Sequence, residues 1–228
     1  MLTIRYLGHS AFAINDGSRE VLVDPFLTGN PLAAAQPNEF NPVAILLTHA
    51  HNDHVGDTVP IAKRSGATVI STFELGQYLE SQGVNAVYGN HGGTIAFDGG
   101  SAKIVPAWHT SSYSTESGVV APGVPAGLIV RFGGKTIYFA GDTCLFGDMA
   151  LIGEEGLDIA VIPIGDHFTM GPADAVRALK YLKPSVAIPC HYNTFPPLKQ
   201  DPHAFARDAQ DKAGVKVEVV DPGQTYSA

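Results

Sequence analysis

Cysteine is scarce in this chain: Cys144 and Cys190 are the only two among 228 residues. Two cysteines set up no disulfide framework, so a reducing, intracellular compartment is the simpler expectation. Charge is also sparse, at 16% of residues, and the basic side is the thinner one, with 14 Lys and Arg against 22 Asp and Glu. The formal charge of −8 argues against a nucleic-acid groove, which needs a basic face. No apolar run approaches the ~20 residues that span a bilayer. The opening MLTIRYLGHSAF lacks the basic-then-apolar layout of a signal peptide. These absences predict a cytoplasmic protein with no membrane span. No low-complexity block or charge run marks a linker, so a single domain over residues 1–228 is expected. With 45% apolar residues it can bury a large core without staples.

What is abundant is punctuation: 25 glycines and 16 prolines are dispersed between short apolar runs. TIRYL, VLVDPF, AILLTH, TVIST, TIAF, AKIVPAW, GLIVRF, KTIYFAG, LDIAVIPI, SVAIPC and VKVEVV read as strands, rich in Val, Ile and aromatics. FGGKT reads as a hairpin turn between two of them. Helical patterns fall between strands at DTVPIAKRSG, FELGQYLESQG, PADAVRALKYLKP and DPHAFARDAQDKAG, with glycine or proline at their ends. Runs of strands followed by alternating strands and helices suggest an α/β arrangement of helix-covered sheets.

Many of these strands end in the same chemistry: His9, Asp24, His49, His109, Asp142, Asp166 with His167, and His191. Ligands collect at the carboxyl ends of strands in layered α/β folds, so these ends are expected to converge on one rim. The densest stretch is THAHNDH at 48–54. His49 and His51, one residue apart, can reach one ion, with His109 as a third ligand. Asp53 and His54 can turn to a second ion, completed by His191, and Asp142 has two oxygens with which to bridge. Imidazole and carboxylate suit Zn2+, and also Mn2+, Ni2+ or Fe2+. A lone histidine or aspartate at a strand end is more often a cap or a satisfied core group. Three histidines in six positions give a turn no structural advantage, and this outweighs the structural reading. His91 and His203 keep it, as an exposed loop residue and a first-helical-turn residue.

THAHNDH resembles the His-x-His-x-Asp-His signature of the metallo-β-lactamase superfamily, and AWHTSS, AGDT and IPCHYNTFP follow in the order of its later ligands. YLGHSAF, IPIGDHFTMGPADA and HYNTFP are similar to a narrower group of stand-alone metal-dependent hydrolases, related to ascorbate-phosphate lactonase and N-acyl phosphatidylethanolamine phospholipase D. The resemblance spans essentially the whole chain. It implies a four-layer αββα sandwich with two metals at one edge between the sheets, and the same division of ligands. It does not imply a substrate, since one fold serves many chemistries.

The expected reaction is attack by a metal-bridging hydroxide on an ester, lactone, thioester or phosphodiester. Asp53 is the candidate for passing a proton to the leaving group. Two divalent ions, two aspartates and a hydroxide leave about one net positive charge, which favours a small anionic or strongly polarised substrate. His9, Asp166 and His167 are expected to orient ligands or to touch substrate. A di-iron redox enzyme or dioxygenase on the same scaffold is the alternative, and His51 argues for hydrolysis because such relatives often carry a carboxylate there. A metal-binding module without catalysis is the second alternative. Exposed strand and loop surfaces are compatible with a homo-oligomer.

Overall fold

A computed structural model describes residues 1–228. The first half of the chain lays down β1 (Thr3–Gly8), β2 (Ala11–Asn15), β3 (Glu20–Val23), β4 (Ala44–Leu46), β5 (Thr68–Thr72) and β6 (Ala86–Gly89). Helices α1 (Asn52–Val55) and α2 (Thr58–Ser65) precede β5, and α3 (Phe73–Ser81) follows it. The second half opens with β7 (Thr94–Phe97) and β8 (Gly100–Pro106), followed by a small hairpin, β9 (Tyr113–Thr115) and β10 (Gly118–Val120). Next come β11 (Ala126–Phe132), β12 (Lys135–Phe139), α4 (Met149–Gly153), β13 (Ile159–Pro163), α5 (Pro172–Leu182) and β14 (Val186–Cys190). Last are α6 (Pro202–Ala213), β15 (Lys216–Val217) and β16 (Thr225–Ser227).

Two seven-stranded sheets result, ordered β16-β1-β2-β3-β4-β5-β6 and β7-β8-β11-β12-β13-β14-β15. Both run through the same sequence of pairings: three antiparallel, then three parallel. Inner faces meet in one core, where Tyr6, Phe12, Leu46 and Ile70 of the first sheet face Ile104, Leu128, Phe139 and Ile188 of the second. The alternate residues face outward under helices. Leu22, Ile45 and Val69 pack beneath Ile61, Leu75 and Leu79 of α2 and α3. Ile129, Tyr138 and Ile162 pack beneath Val176, Leu179 and Phe205 of α5 and α6. Strands buried on both faces have no polar side to show, which is why they read as continuous apolar runs. This is the expected four-layer αββα sandwich.

Local chemistry sets the element ends. Pro172 opens α5, and Lys183, left-handed at φ 48°, closes it just before Pro184. Asp201 caps α6 by accepting from the His203 and Ala204 N–H groups, and left-handed Gly214 ends it. FGGKT is the hairpin between β11 and β12, with positive φ at both Gly133 and Gly134, as a two-residue type I′ turn requires.

The differences from the sequence reading are local. AFAIN, passed over, is β2, whose ladder with β1 and β3 overrides its short alanine-rich run. VKVEVV contributes only Lys216–Val217 to the sheet, and the chain then crosses to the first sheet as β16. Tyr113–Thr115 and Gly118–Val120 pair as the β9–β10 hairpin, and Ala86–Gly89 forms β6, where no strand is expected from the sequence.

Candidate metal centre

After β4 the chain runs extended through His49 and His51 and then makes a single helical turn, α1, which carries Asp53 and His54. The His54 and Val55 N–H groups both donate to the His51 carbonyl, so the histidine motif closes on itself. The β9–β10 hairpin buttresses it, through Ala50 N–H to Ser111 Oγ and a two-way amide pairing of Asn52 with Ser114.

Reversed backbone aims the other strand ends. Seven non-glycine residues have positive φ, and six of them follow strands: His9, Asp24, Asp166, His167, His191 and Asn193. Left-handed backbone outside glycine costs about 1–3 kcal/mol per residue and concentrates at functional sites. At His9, Asp24 and His191 it turns a buried side chain toward the seam between the sheets.

Eight ligand-type side chains meet there in two clusters. His49, His51, His109 and Asp142 each offer an atom within 4.8 Å of the others, as do His9, Asp53, His54 and His191. Asp142 reaches both: Oδ2 lies 3.5 Å from His109 Nε2 and 3.0 Å from His191 Nε2, and Oδ1 lies 3.3 Å from His54 Nε2. His49 Nε2 is 2.9 Å from His51 Nδ1. Four ligands on a zinc at about 2.0–2.1 Å would lie about 3.3 Å apart, so the donors are spaced to surround a cation. Two buried atoms inside the ring, His54 Nε2 and Asp142 Oδ1, have no hydrogen-bond partner; they face each other but are misaligned. Such orphans are costly in a buried site, and a metal on each side of Asp142 would satisfy them. The residues present fit two divalent ions.

Neighbouring groups fix the histidine tautomers. Asp24 accepts the Thr48 N–H at Oδ1 (2.9 Å), and at Oδ2 both the Thr48 hydroxyl (2.7 Å) and His54 Nδ1 (2.8 Å). Since Thr48 spends its own proton on Asp24, its Oγ1 is left to accept His49 Nδ1–H at 3.0 Å. The Nε2 lone pairs of His49 and His54 are thereby turned inward. His9 is placed in the same way, with Thr194 Oγ1 at Nδ1 (2.9 Å) and Asp53 Oδ2 at Nε2 (3.2 Å).

Burial is the first cause of the low pKa values of His49, His51 and His109, and neighbouring imidazoles add to it, which keeps them neutral and able to ligate. Burial, then His191, lowers His9 to about 4. His54 runs the other way: burial opposes its charge, but Asp142 and Asp24 on its two sides outweigh it and raise the pKa. Asp142 is held low, burial being overcome by His191 and His54.

His9 thus falls within the second cluster. Asp166 and His167 do not enter either one; both are exposed on the turn after β13. Asp24 was visible in the sequence only as one more strand end, and Thr48 and Thr194 gave no signal. Their roles depend on pairings 24, 1 and 185 residues apart in sequence.

Comparison with known proteins accords with this geometry. Residues 19–192 match the sequence model of the Beta-lactamase superfamily domain. A UPF0173 metal-dependent hydrolase of Thermus thermophilus is 53% identical over 98% of both chains. This chain belongs to that family. A second UPF0173 hydrolase, from Thermococcus kodakarensis, is 47% identical over 98% of each chain. Among solved structures, Igni18, a metallo hydrolase of Ignicoccus hospitalis, superposes with a TM-score of 0.90 at 36% identity, over 100% of this chain and 99% of that one. The UPF0173 chain thus has the metallo-β-lactamase fold and two candidate metal-binding clusters, and none of its helices is long and apolar enough to cross a membrane.

Proposed function

We propose that the chain is a single-domain, cytoplasmic, binuclear hydrolase of small esters, lactones, thioesters or phosphodiesters. His49, His51 and His109 hold one divalent ion, Asp53, His54 and His191 hold the other, and Asp142 lies between them. Zinc is the first choice, with manganese, nickel and iron(II) as the alternatives. When bound, two such ions supply a water of lowered pKa and a Lewis acid for the substrate oxygen. The observation that carries the reading is the pair of inward-facing orphan atoms on Asp142 and His54, between two sets of converging donors.

The chain's own residues do the rest. Asp142 and His54 are sealed from solvent, whereas Asp53 keeps 34% of its side chain exposed, so its carboxylate is the acid group open to substrate. We assign it the relay that accepts the proton released by the attacking water and passes it to the leaving group. His9, fully buried, holds Asp53 from behind, and Thr194 holds His9.

Elemental analysis of protein purified without chelator or histidine tag tests the assignment. About two equivalents of metal per chain are expected, with Asp142→Ala losing both and Asp53→Ala losing turnover. Iron together with oxygen consumption would put the redox reading in its place. No metal after reconstitution would end the proposal.

A further inference from the structure

The segments that ring the metal centre carry almost no positive charge. Residues 24–36, 47–58, 107–125, 140–147, 164–171 and 190–198 contain no Lys or Arg, while Asp57, Glu116 and Asp166 lie on them in addition to the metal-site carboxylates. Lys199, one residue past the last segment, lines a groove of about 540 Å³ with Asn193, Thr194, Phe195 and Gln200, and Thr194 and Phe195 lie against His9. Beyond Lys199, a phosphorylated or otherwise polyanionic substrate would find no side-chain cation on these segments.

What the rim does present is exposed aromatic surface. Trp108, the only tryptophan, is 66% exposed and immediately precedes His109; Phe168 is 54% exposed on the turn after β13. Both are pinned to Thr143, the residue after Asp142. The Trp108 N–H donates to Thr143 Oγ1 (3.0 Å), and two residues beyond Phe168 the Met170 N–H donates to the Thr143 carbonyl (2.9 Å). In the Phe168 turn, Asp166 and His167 hold φ of 63° and 27°, and the His167 ring packs edge-on against Phe168 with centroids 4.5 Å apart. Large aromatics on backbone tied down beside a reactive centre offer an apolar seat with few side-chain torsions to order.

We propose that Trp108 and Phe168 seat an apolar acyl or aryl group of the substrate, and that the substrate carries no charge beyond its scissile group. This rests on the hydrolase reading above and replaces the expectation of an anionic substrate with that of a neutral, apolar ester, lactone or thioester. Continuity with the metal centre identifies the occupant: Trp108 adjoins His109 in the chain, and the backbone of both aromatic segments is tied to the residue after Asp142.

The test uses metal-loaded protein and n-alkyl hydroxamates from acetyl to octanoyl, whose common head group binds metal while the chain probes the rim. Trp108 emission reports binding directly. Affinity should rise by about three- to fourfold for each methylene fully buried, with a blue shift that grows with chain length, and Phe168→Ala should cost more affinity the longer the chain. Affinity independent of chain length, with the short members still binding, would overturn this proposal and leave the metal centre standing. Failure of every member to bind would remove both. Emission that changes with protein concentration and not with ligand would make the aromatic face a contact between copies of the chain, and the seat would be wrong.

Discussion

Asp24 touches neither cluster's open side, yet its replacement tests the site most directly. Its carboxylate receives the Thr48 N–H, the Thr48 hydroxyl and His54 Nδ1, all within 2.7–2.9 Å and in a fully buried setting. Asp24→Ala strands two or three of these donors at about 1–3 kcal/mol each, a loss of roughly 3–6 kcal/mol. It also places alanine at a φ of 44°, so much of a typical 5–15 kcal/mol stability disappears. Asp24→Asn is the informative variant. Asparagine tolerates left-handed backbone, keeps the shape and still accepts from Thr48 N–H. Its NH2, however, then meets His54 Nδ1, and the contact is satisfied only when Nδ1 accepts and Nε2 carries the proton. The ring then presents N–H toward Asp142 where a lone pair is required. Loss of such an outer partner lowers metal affinity by about 10–100-fold. Competition with a chelator at neutral pH should show one of two equivalents weakened by that factor, while urea unfolding of the metal-free variant stays cooperative. If Asp24→Asn keeps both equivalents at unchanged affinity, the carboxylate does not set the tautomer and the account of His54 is wrong.

Other perturbations have equally definite outcomes. In metal-free protein, His9 and His54 should titrate on opposite sides of the ordinary histidine value of about 6.5. His9, lowered to about 4, gives stability that is full above ~6.5 and lost as pH falls through about 4. His54, raised, gives stability that is full below ~6.5 and lost as pH rises through its folded value. Imidazole NMR separates the two, and a shared titration near ~6.5 would contradict both environments. Gly165→Ala would drive a Cβ into the His191 carbonyl oxygen, so melting temperature and metal content should fall together; an unchanged melting temperature would show that the turn gives way. Chelation should remove the mass-action stabilisation, about 2.7 kcal/mol for ligand at a hundred times its Kd, or roughly 5–10 °C in calorimetry, and a melting temperature indifferent to chelator would count against bound metal.

The layers and the clustered ligand types could be read from the sequence because both rest on local regularities. Apolar runs such as AVIPI and VAIPC must be buried on both faces, and three histidines in THAHNDH have no competing local explanation. β2 was missed because AFAIN gains its strand character from two neighbours rather than from its own residues. The inclusion of His9 in the second cluster and the Asp24–Thr48 pair were out of reach for a different reason. Each is a contact between side chains delivered by different strands, with reversed backbone at His9 and Asp24, and no periodicity encodes that. Trp108 and Phe168 became informative only once their exposure was known.

The repeated strand order of the two sheets has a consequence for how the centre works as a joint. β1 and β8 hold the same place in their sheets, as do β3 and β12, and their ends carry His9 and His109, then Asp24 and Asp142. Each cluster draws from both halves of the chain: His49 and His51 with His109 and Asp142, and His9, Asp53 and His54 with His191. The arrangement resembles a two-fold interface made intramolecular, with the two donor clusters where two subunits would meet. Bound metal would act as a clasp on that edge of the sandwich, while the inner core serves as the hinge. Emptying the site should let the strand ends gape before either sheet melts, so amide exchange would quicken first at the carboxyl ends of β4, β12 and β14.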